Sequence, residues 1–260
     1  MAEDAPDHDE LIAGLEQGDL KPRFYEGGFK TWECAIDLAR FVSESRDDTE
    51  DHVIELGCGT AVPTLALFAR FLSEERKRPV RFTLADYNAT VLRMVTLPNL
   101  LLTWFLNTSS SSSSSELPEE GELGLDSSLI TAFHSDLAAR GISIDFISGA
   151  WSSDFVNLIL DAPTELGKNT LVLASETIYA PSSLDAFSQT LVQLLRQSQS
   201  KALIAAKKVY FGVGGGIDEF LHVLRQQPLQ ENEQLDTRES SEVSSEGVGR
   251  VILEVCIRTT

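Results

Sequence analysis

The sequence predicts a doubly wound α/β fold, in which helices cover both faces of a mostly parallel seven-stranded sheet. Two observations support this fold class. About seven short apolar runs of strand length alternate with longer amphipathic segments along the 260 residues. In addition, residues 51–63 contain a buried strand, a glycine-rich turn and the start of a helix, and α/β sheets bind ligands at such junctions.

The first half of the chain contains two of the predicted strands. Residues 1–20 are expected to be a flexible lead-in, and residues 21–260 are expected to form a single domain. Thr31 is the expected cap of the first helix, whose apolar residues fall on one face. The predicted elements, in chain order, are a helix over residues 32–45, a strand over 53–56, a helix over about 64–77, a strand over 81–86 and a helix from about 88 toward 104.

The middle of the chain changes character after residue 106. Seven serines at residues 109–115 precede an acidic, glycine-containing run, so residues 107–140 are expected to be a flexible insertion. Regular structure is expected to resume at residue 142. The remaining predicted elements are apolar runs over residues 142–151 and 155–160, a core strand over 171–176, a helix near 182–197, a strand over 202–206, a glycine-rich element over 207–216, a helix over 217–225, a short strand near 235 and a last strand over 249–257.

Composition indicates a reducing compartment. The three cysteines cannot all pair, and neither they nor the four scattered histidines have metal-ligand spacing, so no metal is expected. The acidic amino terminus has no hydrophobic signal core, so a cytoplasmic or nuclear location is expected. The longest apolar run, residues 97–106, is too short to span a bilayer, so no membrane association is expected. We expect a monomer.

A formal net charge of −19 is the strongest compositional indication of a partner. Phosphate contacts need a basic surface, so nucleic acid is not expected as a direct ligand. A basic protein substrate is expected instead, because opposite charges steer association. The alternative is that the acidic residues only keep the protein soluble.

The junction at residues 51–63 contains the candidate cofactor site. Gly57 and Gly59 allow a ligand to approach the backbone closely, and Glu55 is an acid near the carboxyl end of the strand. Asp86 ends the next strand, where its carboxylate can hold the two hydroxyls of a ribose. Together these features indicate a nucleoside-containing cofactor.

The motif differs from that of a dinucleotide site. Val62 stands where a third glycine is required, and Asp86 lies later than the usual acid. The turn also lacks the lysine and the serine or threonine of a phosphate loop. The pattern E-x-G-x-G-x-x-x-P followed by a ribose acid instead resembles motif I of the seven-strand S-adenosylmethionine (SAM) methyltransferases. A dinucleotide site and an ordinary glycine turn are the alternatives.

Further motifs narrow this resemblance. They lie at residues 24–34, 86–88, 96–99, 148–151, 175–179 and 210–216. With motif I, they resemble the eukaryotic protein-histidine methyltransferases that modify a large-subunit ribosomal protein, and the resemblance covers about residues 20–258. It implies a seven-strand Rossmann-like fold and SAM-dependent transfer of a methyl group to a histidine imidazole. Arg23 and Ala150 depart from the pattern, which has a glycine and often an acid at these positions.

The resemblance implies a set of cofactor residues by position. Asp86 is expected to bind the ribose hydroxyls with Tyr87 and Asn88 beside it, and Trp32 is expected to cover the cofactor. The other expected cofactor contacts are Glu55, Gly57, Cys58 and Gly59 at the methionine and adenosine, Gly149 and Trp151 at the adenine, and Ser175. The alternative role of Trp32 and Trp151 is core packing, and that of Asp86 is helix capping.

The acceptor side is expected around the end of the central strand. Glu176 is expected to stabilise the positive charge that methylation places on an imidazole, and Tyr179 is expected to pack against or hydrogen-bond the ring. The expected substrate and lid residues are Tyr25, Gly27, Gly28, Tyr210, Phe211, Gly212 and Gly214. The alternatives are helix capping by Glu176 and core packing by Tyr210 and Phe211.

Two other functions remain open from the sequence. A protein-lysine methyltransferase of the same fold has the same motif I, although a lysine amine must lose a proton before it attacks and a neutral histidine need not. A non-catalytic SAM-fold assembly factor for a ribosomal protein also fits, because motif I indicates cofactor binding and does not establish turnover.

Overall fold

The computed structural model describes residues 28–45, 49–74, 78–109, 121–161, 169–196, 200–212, 214–243 and 248–259. The expected lead-in over residues 1–20 and the candidate residues Tyr25 and Gly27 lie outside these ranges. The helices are α1 (Glu33–Glu44), α2 (Val62–Ser73), α3 (Ala89–Ser109, with a π-helical turn at Leu92–Thr96), α4 (Ser127–Arg140), α5 (Ser153–Leu160), α6 (Leu184–Leu195) and α7 (Ile217–Arg225). The strands are β1 (His52–Leu56), β2 (Val80–Asp86), β3 (Ile142–Ser148), β4 (Thr170–Ser175), β5 (Lys201–Lys207), β6 (Glu233–Val243) and β7 (Arg250–Thr259).

The seven strands form one sheet in the order β3-β2-β1-β4-β5-β7-β6. Strands β1 to β5 run parallel, whereas β7 is antiparallel to β5 and β6 is antiparallel to β7. The chain leaves β1 toward β2 and β3 on one side and continues with β4 on the other. The carboxyl ends of β1 and β4 therefore flank the switch point at which such sheets bind ligands. The predicted fold class is confirmed.

Both faces of the sheet are covered, which explains why the central strands are almost continuously apolar. All five residues of β1 are buried. Val53 belongs to a core cluster with residues of α1, α2, α3 and α4, whereas its neighbour Ile54 belongs to a cluster with residues of α5, α6 and α7. Successive side chains thus enter opposite cores, as the geometry of a strand requires.

Residues 127–140 are not part of a flexible insertion, so the predicted boundary is wrong. They form α4, whose amino terminus is capped by Asp126: its Oδ1 accepts a hydrogen bond from the amide of Leu129 at 2.8 Å. The buried residues of α4 are Phe133 and Leu137. A helix with so narrow an apolar face gives little periodic signal in the sequence.

Three other elements differ from their predictions. Thr31 does not cap α1: the N-cap residue is Trp32, and Thr31 Oγ1 donates a hydrogen bond to Thr60 Oγ1 at 3.0 Å. Helix α3 runs on to residue 109, into the expected insertion. By length and composition alone this helix is apolar enough to cross a membrane, and here its Leu100 and Leu101 are buried in the core. Strand β6 has 11 residues instead of being short.

Candidate active site

A cavity of about 390 Å³ opens at the carboxyl ends of the parallel strands. Its walls come from the turns after β1, β2, β3 and β4 and from the segment that leads into α1. The lining residues are Gly28, Lys30, Trp32, Ala35, Gly57, Cys58, Gly59, Thr60, Asp86, Tyr87, Asn88, Gly149, Ala150, Trp151, Ser175, Glu176, Thr177, Tyr179, Ser182, Ser183 and Ala186. The structure thus brings together all but one of the predicted cofactor residues, and it adds both predicted catalytic residues to the same cavity.

The turn after β1 is held close to the neighbouring strands. The amide of Cys58 donates to the carbonyl of Ala85 at the end of β2, at 2.9 Å. Gly57 has a φ of +62°, and a Cβ atom there would lie 2.9 Å from Cγ2 of Thr177, in the segment that follows β4. Glycine is therefore required at residue 57 both for the left-handed backbone and for the approach of this segment.

Asp86 is oriented by two main-chain amides. Its Oδ2 accepts a hydrogen bond from the amide of Gly59, and its Oδ1 accepts one from the amide of Asn88, both at 3.0 Å. The residue is only 8% exposed, yet it lies on the cavity wall. A carboxylate oxygen has more than one acceptor position, so these bonds leave capacity for ligand hydroxyls.

Helix α3 supports the turn from outside the cavity. Thr96 Oγ1 donates to the carbonyl of Gly59 at 2.7 Å, and Asn99 Nδ2 donates to the carbonyl of Thr60 at 3.0 Å. Both side chains belong to the motif at residues 96–99, so this motif fixes the position of the cavity wall. Residues 96–99 do not themselves line the cavity.

Glu55 does not line the cavity, which corrects the predicted direct contact with the cofactor. Its Oε2 accepts a hydrogen bond from the amide of Thr64 at 3.0 Å, in the first turn of α2, where amides have no acceptor within the helix. Its Oε1 is buried and has no hydrogen-bond partner among the described residues. Burial, with the charge of Asp86 nearby, raises the pKa of Glu55 to about 8. Glu55 therefore supports the junction between turn and helix.

The predicted adenine side is built by the turns after β2 and β3. The amide of Gly149 donates to the carbonyl of Asp86 at 3.2 Å, which joins the two turns. The ring of Trp151 lies 5.0 Å from that of Phe187 and also borders the cavity. Cavity lining and core packing are therefore both roles of Trp151. Tyr87 lies on the wall and is exposed.

Glu176 follows β4 in an unusual backbone conformation, with a φ of +54°. Left-handed conformations of residues other than glycine cost free energy and are concentrated at functional sites. Its Oε2 accepts a hydrogen bond from the hydroxyl of Tyr210 at 2.5 Å, whereas its Oε1 is buried without a hydrogen-bond partner among the described residues. Lys207 Nζ lies 3.8 Å from that Oε1. Glu176 therefore pairs with these residues and does not cap a helix.

Tyr179 also lines the cavity, near Glu176 in sequence and on the same wall. Its ring lies 6.4 Å from that of Tyr210 in an edge-to-face arrangement. The two predicted catalytic residues and Tyr210 therefore form one contiguous group.

The residues of the predicted lid after β5 that the structure describes lie outside the cavity wall. Tyr210, Phe211, Gly212 and Gly214 do not line the cavity, and Phe211 is 78% exposed. At Gly215 a Cβ atom would lie 2.6 Å from the carbonyl oxygens of residues 178 and 179. Gly214 and Gly215 allow this segment to pack closely against the residues that follow β4. Tyr210 reaches the site through its hydrogen bond to the acid on that wall.

Several wall residues were not found by sequence analysis. Lys30, Thr60 and Thr177 lie inside the motifs at residues 24–34, 51–63 and 175–179 but received no role, and no local pattern distinguishes Ser182, Ser183 and Ala186. Two ammonium groups lie near the ring of Trp32: Lys30 Nζ is 5.2 Å and Lys207 Nζ is 5.6 Å from its centroid.

Within the described ranges no cluster of three histidine, cysteine or acidic side chains has the geometry of a metal site.

Known proteins provide an independent comparison, although no protein-family model matches the chain. It is 40% identical over 226 residues to histidine protein methyltransferase 1 of Saccharomyces cerevisiae, covering 81% of this chain and 60% of that one. Identity to the Schizosaccharomyces pombe protein of the same name is 38%, covering 96% and 71%. A Bos taurus homolog is 31% identical, covering 96% and 58%. The chain thus spans less than two thirds of the Saccharomyces cerevisiae and bovine relatives' lengths. Among solved structures, an rRNA methyltransferase from Streptomyces viridochromogenes is 12% identical with a TM-score of 0.43, covering 96% and 93%.

Proposed function

Because the chain belongs to the histidine protein methyltransferase 1 family, we propose that it transfers a methyl group from SAM to an imidazole nitrogen of a protein histidine. The structural observation that carries this proposal is the single cavity that joins Asp86 to Glu176. Asp86 lies at the end of the second strand, where such folds bind a ribose, and we assign Glu176 to the acceptor side chain.

The residues of the cavity fit SAM. Asp86 has carboxylate capacity for the two ribose hydroxyls. Gly57 and Gly59 line the cavity where the methionine part would lie, and nothing lies within 4 Å of a Cβ position at Gly149. Trp151 supplies an aromatic wall for the adenine. When bound, SAM supplies an electrophilic methyl group attached to a positively charged sulfur.

The residues around Glu176 suit a neutral imidazole acceptor. One ring nitrogen of a neutral histidine carries a lone pair, and the other carries a hydrogen that needs an acceptor. Glu176 lines the cavity, and its carboxylate is the acceptor that we propose for that N–H. As the ring becomes positive, the same carboxylate stabilises the developing charge, and the proton on its other nitrogen is later released to solvent. Tyr179 packs beside the ring and helps to exclude water.

We also propose that the acceptor is a basic protein, most simply a large-subunit ribosomal protein in the cytoplasm or nucleus. Two observations support this choice. A net charge of −19 attracts a basic partner. The motifs at residues 24–34 and 210–216 resemble those of enzymes that modify such a protein.

Methyl labelling tests the proposal directly. The protein is incubated with methyl-tritiated SAM and with large-subunit ribosomal proteins from cells that lack it, and the labelled protein is hydrolysed for amino-acid analysis. We expect label in methylhistidine. Label in methyl-lysine would contradict the acceptor assignment. Normal calorimetric binding of S-adenosylhomocysteine without any labelling would indicate a non-catalytic binding protein.

A further inference from the structure

Lys207 lies beside the proposed acceptor wall, at the carboxyl end of β5. Strands β4 and β5 are neighbours, and the amide of Glu176 donates to the carbonyl of Ala205 at 3.0 Å. This pairing places Lys207 Nζ 3.8 Å from Glu176 Oε1 and 3.0 Å from Glu33 Oε2. Its side chain is 22% exposed, so water screens these charges only in part.

We propose, building on the proposed function, that Lys207 is a specificity-determining residue. It makes the acceptor pocket, the part of the cavity beside Glu176, favour an uncharged side chain. The pocket then admits neutral imidazole and disfavours both imidazolium and lysine ammonium. Lys207 acts through Glu176 and does not itself line the cavity.

Charge balance at Glu176 accounts for this selectivity. A partly buried carboxylate without a nearby cation attracts any positive group, and a bound histidine beside it is stabilised in its protonated, unreactive form. The Lys207 ammonium lies 3.8 Å from Glu176 Oε1, so it weakens the negative field there, while it also pairs with Glu33 at 3.0 Å. An N–H donor that carries no charge still gains a hydrogen bond there, whereas a second ammonium is repelled by the first.

Lys207 keeps its charge in this environment. Burial alone would lower its pKa, but the hydrogen bond to Glu33 and the charge of Glu176 raise the pKa of Lys207 above its ordinary value. Burial and the charge of Glu176 also raise the pKa of the Cys34 thiol, so that this neighbour stays neutral. The titratable and charged groups around Lys207, from α1, β4, β7 and the adjoining segments, are Lys30, Glu33, Cys34, Asp37, Glu176, Tyr210 and Arg250.

The test compares Lys207→Met, Lys207→Arg and Lys208→Met in the full chain. Lys208 is a matched control, because it is the next residue and forms an exposed ion pair with Glu242 at 2.6 Å. The measurement is kcat for histidine methylation of the large-subunit ribosomal protein fraction as a function of pH, with S-adenosylhomocysteine affinity and melting temperature determined in parallel.

In the pH profile of kcat, we expect Lys207→Met to shift the acid limb to higher pH by about one unit, because the bound histidine gains a proton more easily. Lys207→Arg should restore the wild-type limb, and Lys208→Met should leave it unmoved. An acid limb for Lys207→Met that coincides with that of Lys208→Met overturns the proposal. If Lys207→Met does not fold, Lys207→Gln decides by the same criterion. If the proposed function is wrong, the wild-type protein itself forms no methylhistidine, and this outcome is distinct from a failure of the Lys207 proposal.

Discussion

The amide of Gly59 donates a hydrogen bond to Oδ2 of Asp86 at 3.0 Å, which couples the glycine turn to the acid at the end of the neighbouring strand. A second amide, that of Asn88, holds the other carboxylate oxygen at the same distance. The acid is therefore oriented before any ligand binds. Such preorganisation lowers the entropic cost of binding.

Replacing Asp86 with asparagine tests this coupling. An asparagine has one acceptor oxygen in place of two, so it cannot satisfy both amides and two ribose hydroxyls. Loss of a hydrogen bond to a charged group corresponds to about a 10- to 100-fold loss of S-adenosylhomocysteine affinity. Calorimetric titration measures this loss, and the matched control is Asp154→Asn in the first turn of α5. An Asp86→Asn affinity equal to that of the control would argue against ribose binding by Asp86.

The turn at Gly57 gives a prediction about stability. Gly57→Ala puts a residue with a Cβ into a left-handed conformation, at a cost of about 1–2 kcal/mol. It also places the new methyl group 2.9 Å from Cγ2 of Thr177. Thr177→Ser removes that methyl carbon, so the double variant should recover part of the lost free energy of unfolding. Urea denaturation measures both effects. A Gly57→Ala protein as stable as wild type would contradict the described turn.

The buried acid Glu55 gives a pH-dependent prediction. Its pKa is about 8 in the folded protein, above its ordinary value of 4.5, so the folded state holds the proton more tightly than the unfolded chain does. Stability from this group is therefore present at low pH and is lost as pH rises toward 8. His52 has the opposite effect on stability, because burial lowers its pKa in the folded protein to about 4. The stability that His52 contributes therefore rises with pH from about 4 and no longer changes above its ordinary pKa of 6.5.

The clearest pH window is therefore above 6.5. From there to pH 8 the wild-type free energy of unfolding should fall by about 2 kcal/mol through Glu55. Glu55→Gln keeps an acceptor for the Thr64 amide but does not titrate, so its stability should stay nearly constant over this window. Denaturant unfolding at several pH values measures the difference. Parallel pH profiles for the two proteins would rule out the raised pKa.

The hydrogen bond from Tyr210 to Glu176 predicts coupled kinetic effects. Tyr210→Phe removes the group that orients the carboxylate and should lower kcat about tenfold. Because Tyr210 acts through Glu176, the same substitution should have little further effect in a Glu176→Gln background. A double-mutant cycle on kcat measures this coupling. Fully additive effects would show that Tyr210 acts independently.

Much of the cofactor side was predictable from sequence, because its residues lie in short motifs with fixed spacing. Gly57, Gly59 and Asp86 belong to consecutive strand ends, and parallel topology brings consecutive strand ends together. The assignment of Glu55 failed for a physical reason. An acid at the end of a strand can contact either the ligand or the following helix, and spacing alone does not distinguish the two.

The acceptor side of the site was less predictable, because it depends on contacts between distant parts of the chain. Lys207 meets Glu33 and Glu176 only because β4 and β5 are adjacent and α1 packs beside them. The glycines after β5 were interpreted as a lid because flexibility and close packing require the same residue type. The position of Gly215 against the carbonyls of residues 178 and 179 shows close packing there, which the sequence pattern did not indicate.

Glu176→Gln tests the central claim most directly, since it changes one oxygen to nitrogen at the proposed acceptor wall. The measurement is the single-turnover rate of methylhistidine formation, with S-adenosylhomocysteine affinity determined on the same protein. We predict a rate about 100-fold below wild type, because the developing positive charge loses its carboxylate, with cofactor affinity nearly unchanged. A Glu176→Gln protein that forms methylhistidine at the wild-type rate would contradict this catalytic role.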